Sequence, residues 1–166
     1  MKKGVSIIMG SKSDLPVMQK AENILKEFVV PCEIRALSAH RTPDLVREYA
    51  AGLGERGMGI VIAAAGMAAH LPGVVAGLTT APVIGVPIES AGLGGLDALL
   101  SIVQMPPGIP VATVTVGGAK NAALLAVAML AVADDQLADK LEEYRTTMRT
   151  AVQNADAELC KPAKGA

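Results

Sequence analysis

Tryptophan is missing from this chain, phenylalanine occurs once and tyrosine twice. A core built from it must be filled by Ala, Val, Ile, Leu and Met. Cysteine is nearly missing too: Cys32 and Cys160 stand alone, in no metal-ligand or disulfide spacing. No cluster of His, Cys, Asp or Glu has zinc-ligand spacing, so no metal is expected. A surplus of positive charge is also lacking. Fifteen Lys and Arg face sixteen Asp and Glu, a net charge of −1, which leaves no basic face for nucleic acid. Long apolar runs do not occur either. A spanning helix needs about 20 consecutive apolar residues. The run 122–133 is closed by Lys120 and Asp134-Asp135, and the run 60–78 is broken by Gly66, His70, Pro72 and Gly73. No membrane span is therefore expected. The apolar run behind Lys2 and Lys3 stops at Gly10-Ser11-Lys12, which reads as a first strand and not as a signal peptide.

What is present is aliphatic. Hydrophobic residues make up 51% of 166, and the mean hydropathy of +0.42 is high for a soluble monomer. With the membrane set aside, that surplus points to apolar surface buried between copies of the chain. The expectation is a cytoplasmic homo-oligomer of one domain over residues 1–166, with a loose tail from about residue 155.

Strand and helix signals alternate along the chain. Val5–Met9 is a short apolar run of the kind found in buried parallel strands. Leu15, Met18, Ala21, Ile24, Leu25 and Phe28 recur at helical spacing. The runs 32–37, 60–65, 82–87 and 111–116 read as further strands. Helices are expected over 45–53, 74–78, 96–103, 122–133 and 136–154, with Gly57-Met58-Gly59 closing the second and 122–133 buried all round. Residues 105–110 hold three prolines and a glycine and exclude regular structure. This alternation predicts an α/β fold, a three-layer αβα sandwich on a parallel sheet; strand order 2-1-3-4-5 is expected by analogy with other small doubly wound folds.

That order brings three strand exits to one edge of the sheet, where open α/β sheets bind ligands. The first exit is Gly10-Ser11-Lys12-Ser13-Asp14: close backbone approach at the glycine, two hydroxyls, and the free N–H groups of a helix start. It lacks the spacing of a P-loop or a dinucleotide fingerprint, and Ser13 or Asp14 could simply cap the helix. Asp14 would repel a phosphate and suits ligand hydroxyls such as those of a ribose. The second exit, Ser38-Ala39-His40-Arg41-Thr42-Pro43-Asp44, places Thr42 as N-cap and Pro43 as the first helical residue. His40 brings a side-chain type that suits proton transfer, and Arg41 is a fork that can hold a phosphate or carboxylate. The bland alternatives are a surface histidine beside a cap and a solvated arginine. The third exit is Gly66-Met67-Ala68-Ala69-His70-Leu71-Pro72-Gly73, where His70 could equally satisfy a backbone group. No acidic pair follows the first strand, as a phospho-receiver would need. No aromatic lies near the strand ends to stack on a flavin.

These stretches, with Ser101-Ile102-Val103-Gln104-Met105-Pro106 and Asn121-Ala122-Ala123-Leu124-Leu125-Ala126, resemble the PurE family over about Val5 to Val152. The resemblance is to its class I. It implies a flavodoxin-like fold in a homo-octamer, with the C-terminal helix packing on neighbouring subunits. It also implies an N5-carboxyaminoimidazole ribonucleotide mutase that moves a carboxylate from N5 to ring carbon C4 without metal, ATP or other cofactor. By the same resemblance His40 is the general acid/base, and Ser11, Ser13 and Asp14 bind the ribonucleotide. Arg41 takes its phosphate, and Ser38 and Ala39 line the pocket. Gly66 with Ala68, Ala69, His70 and Leu71 packs on the imidazole and its carboxylate. Met67 departs from the Gly-Gly-Ala expected of the family there. The family's class II, which carboxylates aminoimidazole ribonucleotide with CO2 directly, fits less well at Arg41-Thr42-Pro43 and Ala69-His70-Leu71-Pro72. A non-catalytic nucleotide-binding protein would not call for His40 within its full motif.

Overall fold

Apolar runs of six to nine residues become the central strands, segments of five and two residues become the edge strands, and the segments between them become helices. In chain order the computed structural model, which describes residues 3–160, has β1 (Gly4–Met9), a single 3-10 turn (Lys12–Asp14), α1 (Leu15–Glu27), β2 (Cys32–Ala36), α2 (Pro43–Ala51) and β3 (Met58–Gly66). Then follow α3 (Leu71–Ala76), β4 (Val83–Ile88), α4 (Leu96–Val103), β5 (Ala112–Thr113), α5 (Ala119–Ala131) and α6 (Asp135–Leu159). All four strand pairings are parallel and the sheet order is β2-β1-β3-β4-β5, the order expected by analogy and the flavodoxin-like arrangement that the resemblance implied. By internal contacts the chain forms two compact units, the first ending at Val127 and the second beginning at Ala128.

Parallel strands covered on both faces read as continuous apolar runs. Every residue of β1 is buried, as is every residue of β4. On one face Ile8, Val61, Ala63 and Ala65 pack with Val46 and Tyr49 of α2, Leu71 and Val75 of α3, and Ala98 and Ile102 of α4. Gly85 sets how close α4 can lie: a Cβ there would sit 2.4 Å from Ile102 Cγ2 and 3.0 Å from Val111 Cγ1. Among the described residues Ser6 is the one buried polar side chain that belongs to neither the apolar nor the aromatic core. Its hydroxyl is 2.6 Å from the Tyr49 hydroxyl, so α2 is pinned to β1 through the core.

The register decides where the exits fall. Met9 lies opposite both Ala36 and Ala64, and Gly66 lies opposite Ile88. The carboxyl ends of β2, β1, β3 and β4 therefore open at one edge.

Several boundaries differ from the sequence reading. β5 is two residues long, not six. It is the edge strand, it follows Pro110, and beyond it the chain keeps to β4 only through Val114 N to Gly85 O (3.1 Å) and Gly117 N to Pro87 O (2.9 Å). α3 starts at Leu71, not at 74, because Pro72 in the first turn suits a helix start rather than excluding one. α2 runs Pro43–Ala51, and Met58 and Gly59 belong to β3. Gly57, at φ 76°, makes the turn between them. α5 is one-sided: Ala122, Ala123, Ala126 and Val127 are buried while Lys120 and Asn121 are exposed. α6 runs to Leu159, so residues 155–159 are helical and not loose. The rest of the expected tail, 161–166, lies outside the described residues. Asp134 caps α6 through Leu137 N. Among the described residues no helix is long and apolar enough to cross a membrane.

Candidate active site

A cleft of about 510 Å³ opens at that edge. Its first wall is the turn after β1. Ser11 Oγ accepts from Ser13 N (3.3 Å) and from Ser13 Oγ (2.9 Å), so Ser11 caps the 3-10 turn. Asp14, at the cap position of α1, makes no side-chain cap bond. Neither Ser13 nor Asp14 is therefore consumed in capping α1, and Asp14 carboxylate oxygens remain for a ligand; Ser13 Oγ lies 3.1 Å from one of them.

The second wall is the turn after β2. Thr42 takes the cap position of α2, but its hydroxyl turns backward, accepting from Ser38 N and donating to Ser38 O, both at 3.0 Å. This closes the Ser38–Thr42 loop on itself. Ser38 Oγ in turn accepts from Arg41 N (3.2 Å) and Arg41 Nε (3.4 Å), and Arg41 Nη2 donates to Gly10 O at 2.8 Å. The arginine thus ties the first two exits together before any ligand arrives.

The third wall is the turn after β3. His70 precedes α3, and its Nδ1 lies 2.8 Å from His40 Nε2 with the rings edge to face. Only one proton can lie between these two nitrogens, so one imidazole donates and the other accepts. The contact ties the tautomer of one ring to that of the other. Chemically the cleft offers two imidazoles in contact, one fixed cation, one carboxylate on the first wall and apolar lining.

Of the residues expected in the site, Ser11, Ser13, Asp14, Ser38, Ala39, His40, Arg41, Gly66, Ala68, His70 and Leu71 all line this cleft. Ala69 does not: it is 1% exposed and packs in the core behind it, held there because β3 ends one turn before α3. Met67 lines it as well, and so do Ala65, Ile88, Glu89 and Ser90, which had not been expected there. The last three lie at the end of β4, which the Gly66–Ile88 register brings to the same edge. The predicted strand order already put β4 beside β3, and that was the available signal. Ser90 donates to Asp97 of α4 (3.1 Å), which fixes the fourth exit. Among the described residues no group of three or more His, Cys, Asp or Glu side chains is placed to hold a metal ion.

Residues 4–151 match the family described as AIR carboxylase. The chain belongs to that family. It is 59% identical over 145 residues to the N5-carboxyaminoimidazole ribonucleotide mutase of Pyrococcus abyssi, covering 87% of this chain and 83% of that one. Against the protein of the same name from Mycobacterium tuberculosis it is 55% identical over 155 residues, covering 93% and 89%. The crystal structure of Treponema denticola PurE superposes with a TM-score of 0.85 at 31% identity, covering 95% of this chain and 98% of that chain. The fold and the recognition by motif therefore stand together: this AIR carboxylase family chain has a five-stranded parallel sheet of the flavodoxin-like order that the resemblance implied.

Proposed function

We propose that this chain is an N5-carboxyaminoimidazole ribonucleotide mutase of de novo purine (IMP) biosynthesis. It converts N5-carboxyaminoimidazole ribonucleotide to 4-carboxy-5-aminoimidazole ribonucleotide. The observation that carries this reading is the contact of His40 with His70, at 2.8 Å, in a cleft that Ser11, Asp14 and Arg41 also line. It is supported by membership of the family and by relatives at 55–59% identity that carry the mutase name.

In this reading the ribonucleotide lies across the first two exits. Asp14 accepts from the ribose hydroxyls, Ser11 and Ser13 donate to the phosphate, and Arg41 pairs with it. Ser38 and Ala39 shape the wall beside the sugar. Gly66, Ala68, His70 and Leu71 meet the imidazole and its carboxylate, and Ala69 supports them from behind. The N5–carboxyl bond breaks with its electron pair passing to nitrogen, which takes a proton from His40, and CO2 is released within the cleft. Ring carbon C4 then attacks that CO2, and the C4 proton goes back to His40. Atoms and charge balance with no oxidant and no cofactor. One histidine can do both steps because an imidazole that has given a proton is the base that takes the next one. Confinement makes the second step effectively intramolecular. Much of the binding comes from phosphate and ribose, remote from the reacting bond.

The domain is read as a single catalytic one across the family match, acting in the cytoplasm as a homo-octamer with α6 packed on neighbouring subunits. The composition supports assembly, as does α6, whose Met148, Val152 and Leu159 are 47%, 71% and 85% exposed.

The test of the role of His40 is His40→Asn. Substrate binding by calorimetry is expected to persist, while turnover falls by about 10²–10⁴, the scale of a lost general acid/base. Near-normal turnover would overturn the assignment.

A further inference from the structure

Met67 is one of two non-glycine residues with positive φ among the described residues, at 57°. The other, Val29, lies in the turn between α1 and β2, away from the cleft. A left-handed backbone position is unfavourable for an L side chain and free for glycine, and asparagine tolerates it better than most residues do. The turn after β3 therefore does not itself call for methionine. Strain of this kind persists where the side chain serves something else.

The location says what. Met67 lines the cleft, yet 68% of it is exposed, so it stands at the mouth. The same cleft is lined by Ala65, Leu71 and Ile88, which are only 7%, 2% and 8% exposed and give it apolar surface at depth. A thioether chain is apolar, unbranched and able to follow the shape of what lies beneath it. Such a chain can cover a small opening and still yield to an entering ribonucleotide.

The reaction proposed above creates a need for such a cover, and the present inference rests on that reading. Between the breaking of the N5–carbon bond and the making of the C4–carbon bond, the migrating group is a neutral molecule. No charge holds it and no strong hydrogen bond does; the walls alone do. We propose that Met67 is a retaining residue: its side chain closes the mouth over the released CO2, so that recapture at C4 outruns escape. It moves no proton. It is a positioning residue whose effect appears in the partition of CO2.

The test supplies N5-carboxyaminoimidazole ribonucleotide with a ¹³C carboxylate to the full-length protein in unlabelled bicarbonate. Carbonic anhydrase is present to equilibrate any CO2 that escapes. The readouts are ¹³C retained in the C4-carboxylated product and uncarboxylated ribonucleotide released, corrected for spontaneous decay. For Met67→Gly the loss of label is expected to rise roughly threefold to tenfold, the scale that several lost carbon–carbon and carbon–sulfur contacts support. Its melting temperature should hold or rise, since glycine relieves the left-handed strain. Met67→Leu should retain label much as the unaltered protein does, and Met67→Gln should leak. Retention of label in Met67→Gly equal to that of the unaltered protein would overturn the role of Met67, and so would equal leakage in Met67→Leu and Met67→Gly. Absence of product from the unaltered protein would overturn the mutase reading instead.

Discussion

Arg41 shows how a residue can be occupied and available at once. Two of its donors already serve the protein, on Gly10 O and Ser38 Oγ, and the proposed reading assigns the rest of the guanidinium edge to the substrate phosphate. Arg41→Ala removes both the tie between the first two exits and the cation. Hydrogen bonds to charged groups contribute about 1.5–3 kcal/mol each, so KM is expected to rise roughly tenfold to a hundredfold with a smaller change in kcat. Steady-state kinetics checks this, and an unchanged KM would remove Arg41 from the phosphate site. The residue types at this edge were legible in the sequence because each exit carries its own motif. The contacts between exits were not. His40 and His70 are 30 positions apart, and nothing in spacing says that Nε2 of one meets Nδ1 of the other. Nor did spacing show that Thr42 would bond backward to Ser38. Ala69 was misjudged for the same reason: the motif gives its place in the chain, and its burial depends on the layer behind.

At the scale of elements, α2 matters most, since its N-terminal loop carries His40 and Arg41. It is held by Tyr49, whose hydroxyl meets Ser6 of β1 and donates to Glu33 of β2, with the Arg56 guanidinium 4.2 Å above its ring. Arg56 also bonds Tyr49 O (2.9 Å) and Glu33 Oε1 (3.2 Å). Burial, reinforced by the bond to Glu33, pushes the Tyr49 hydroxyl up to about 12. An unfolded tyrosine ionises near 10. Stability from this group is therefore complete below about pH 10 and falls as pH rises toward 12, because the unfolded chain releases its proton first. Tyr49→Phe should lack that alkaline limb and be less stable at neutral pH by about 1–3 kcal/mol, since Ser6 is left buried without this partner. Urea unfolding at pH 8 and pH 11 measures both effects, and equal pH dependence in the two proteins would contradict the account. Legibility followed burial here too. The central strands were plain because two covered faces demand unbroken apolar runs. β5 was overestimated because an edge position weakens pairing without altering composition. The start of α3 was missed because Pro72 and Gly73 look like a loop until Leu71 is seen to be buried.

The whole molecule carries more apolar surface than its described core uses. Leu93, Leu96, Leu100 and Val103, at 63%, 52%, 49% and 49% exposure, crowd the loop before α4 and α4 itself. High hydropathy without a membrane helix had pointed to assembly from composition alone, but composition does not say which surfaces meet. If α6 packs on neighbouring subunits, a chain ending at Ala133 should sediment as a smaller species than the full chain. An unchanged assembly would deny the helix that role. The central claim, that this family member moves a carboxylate within one ribonucleotide, is tested most directly by a choice of substrates. Purified protein is given either N5-carboxyaminoimidazole ribonucleotide, or the uncarboxylated ribonucleotide with modest bicarbonate, and the C4-carboxylated product is followed by ultraviolet absorbance. Rapid product from the first substrate and little from the second is the predicted result. Efficient product from the second would make the chain a direct carboxylase, and ligand bound without product from either would make it a binding protein; both results would contradict the account.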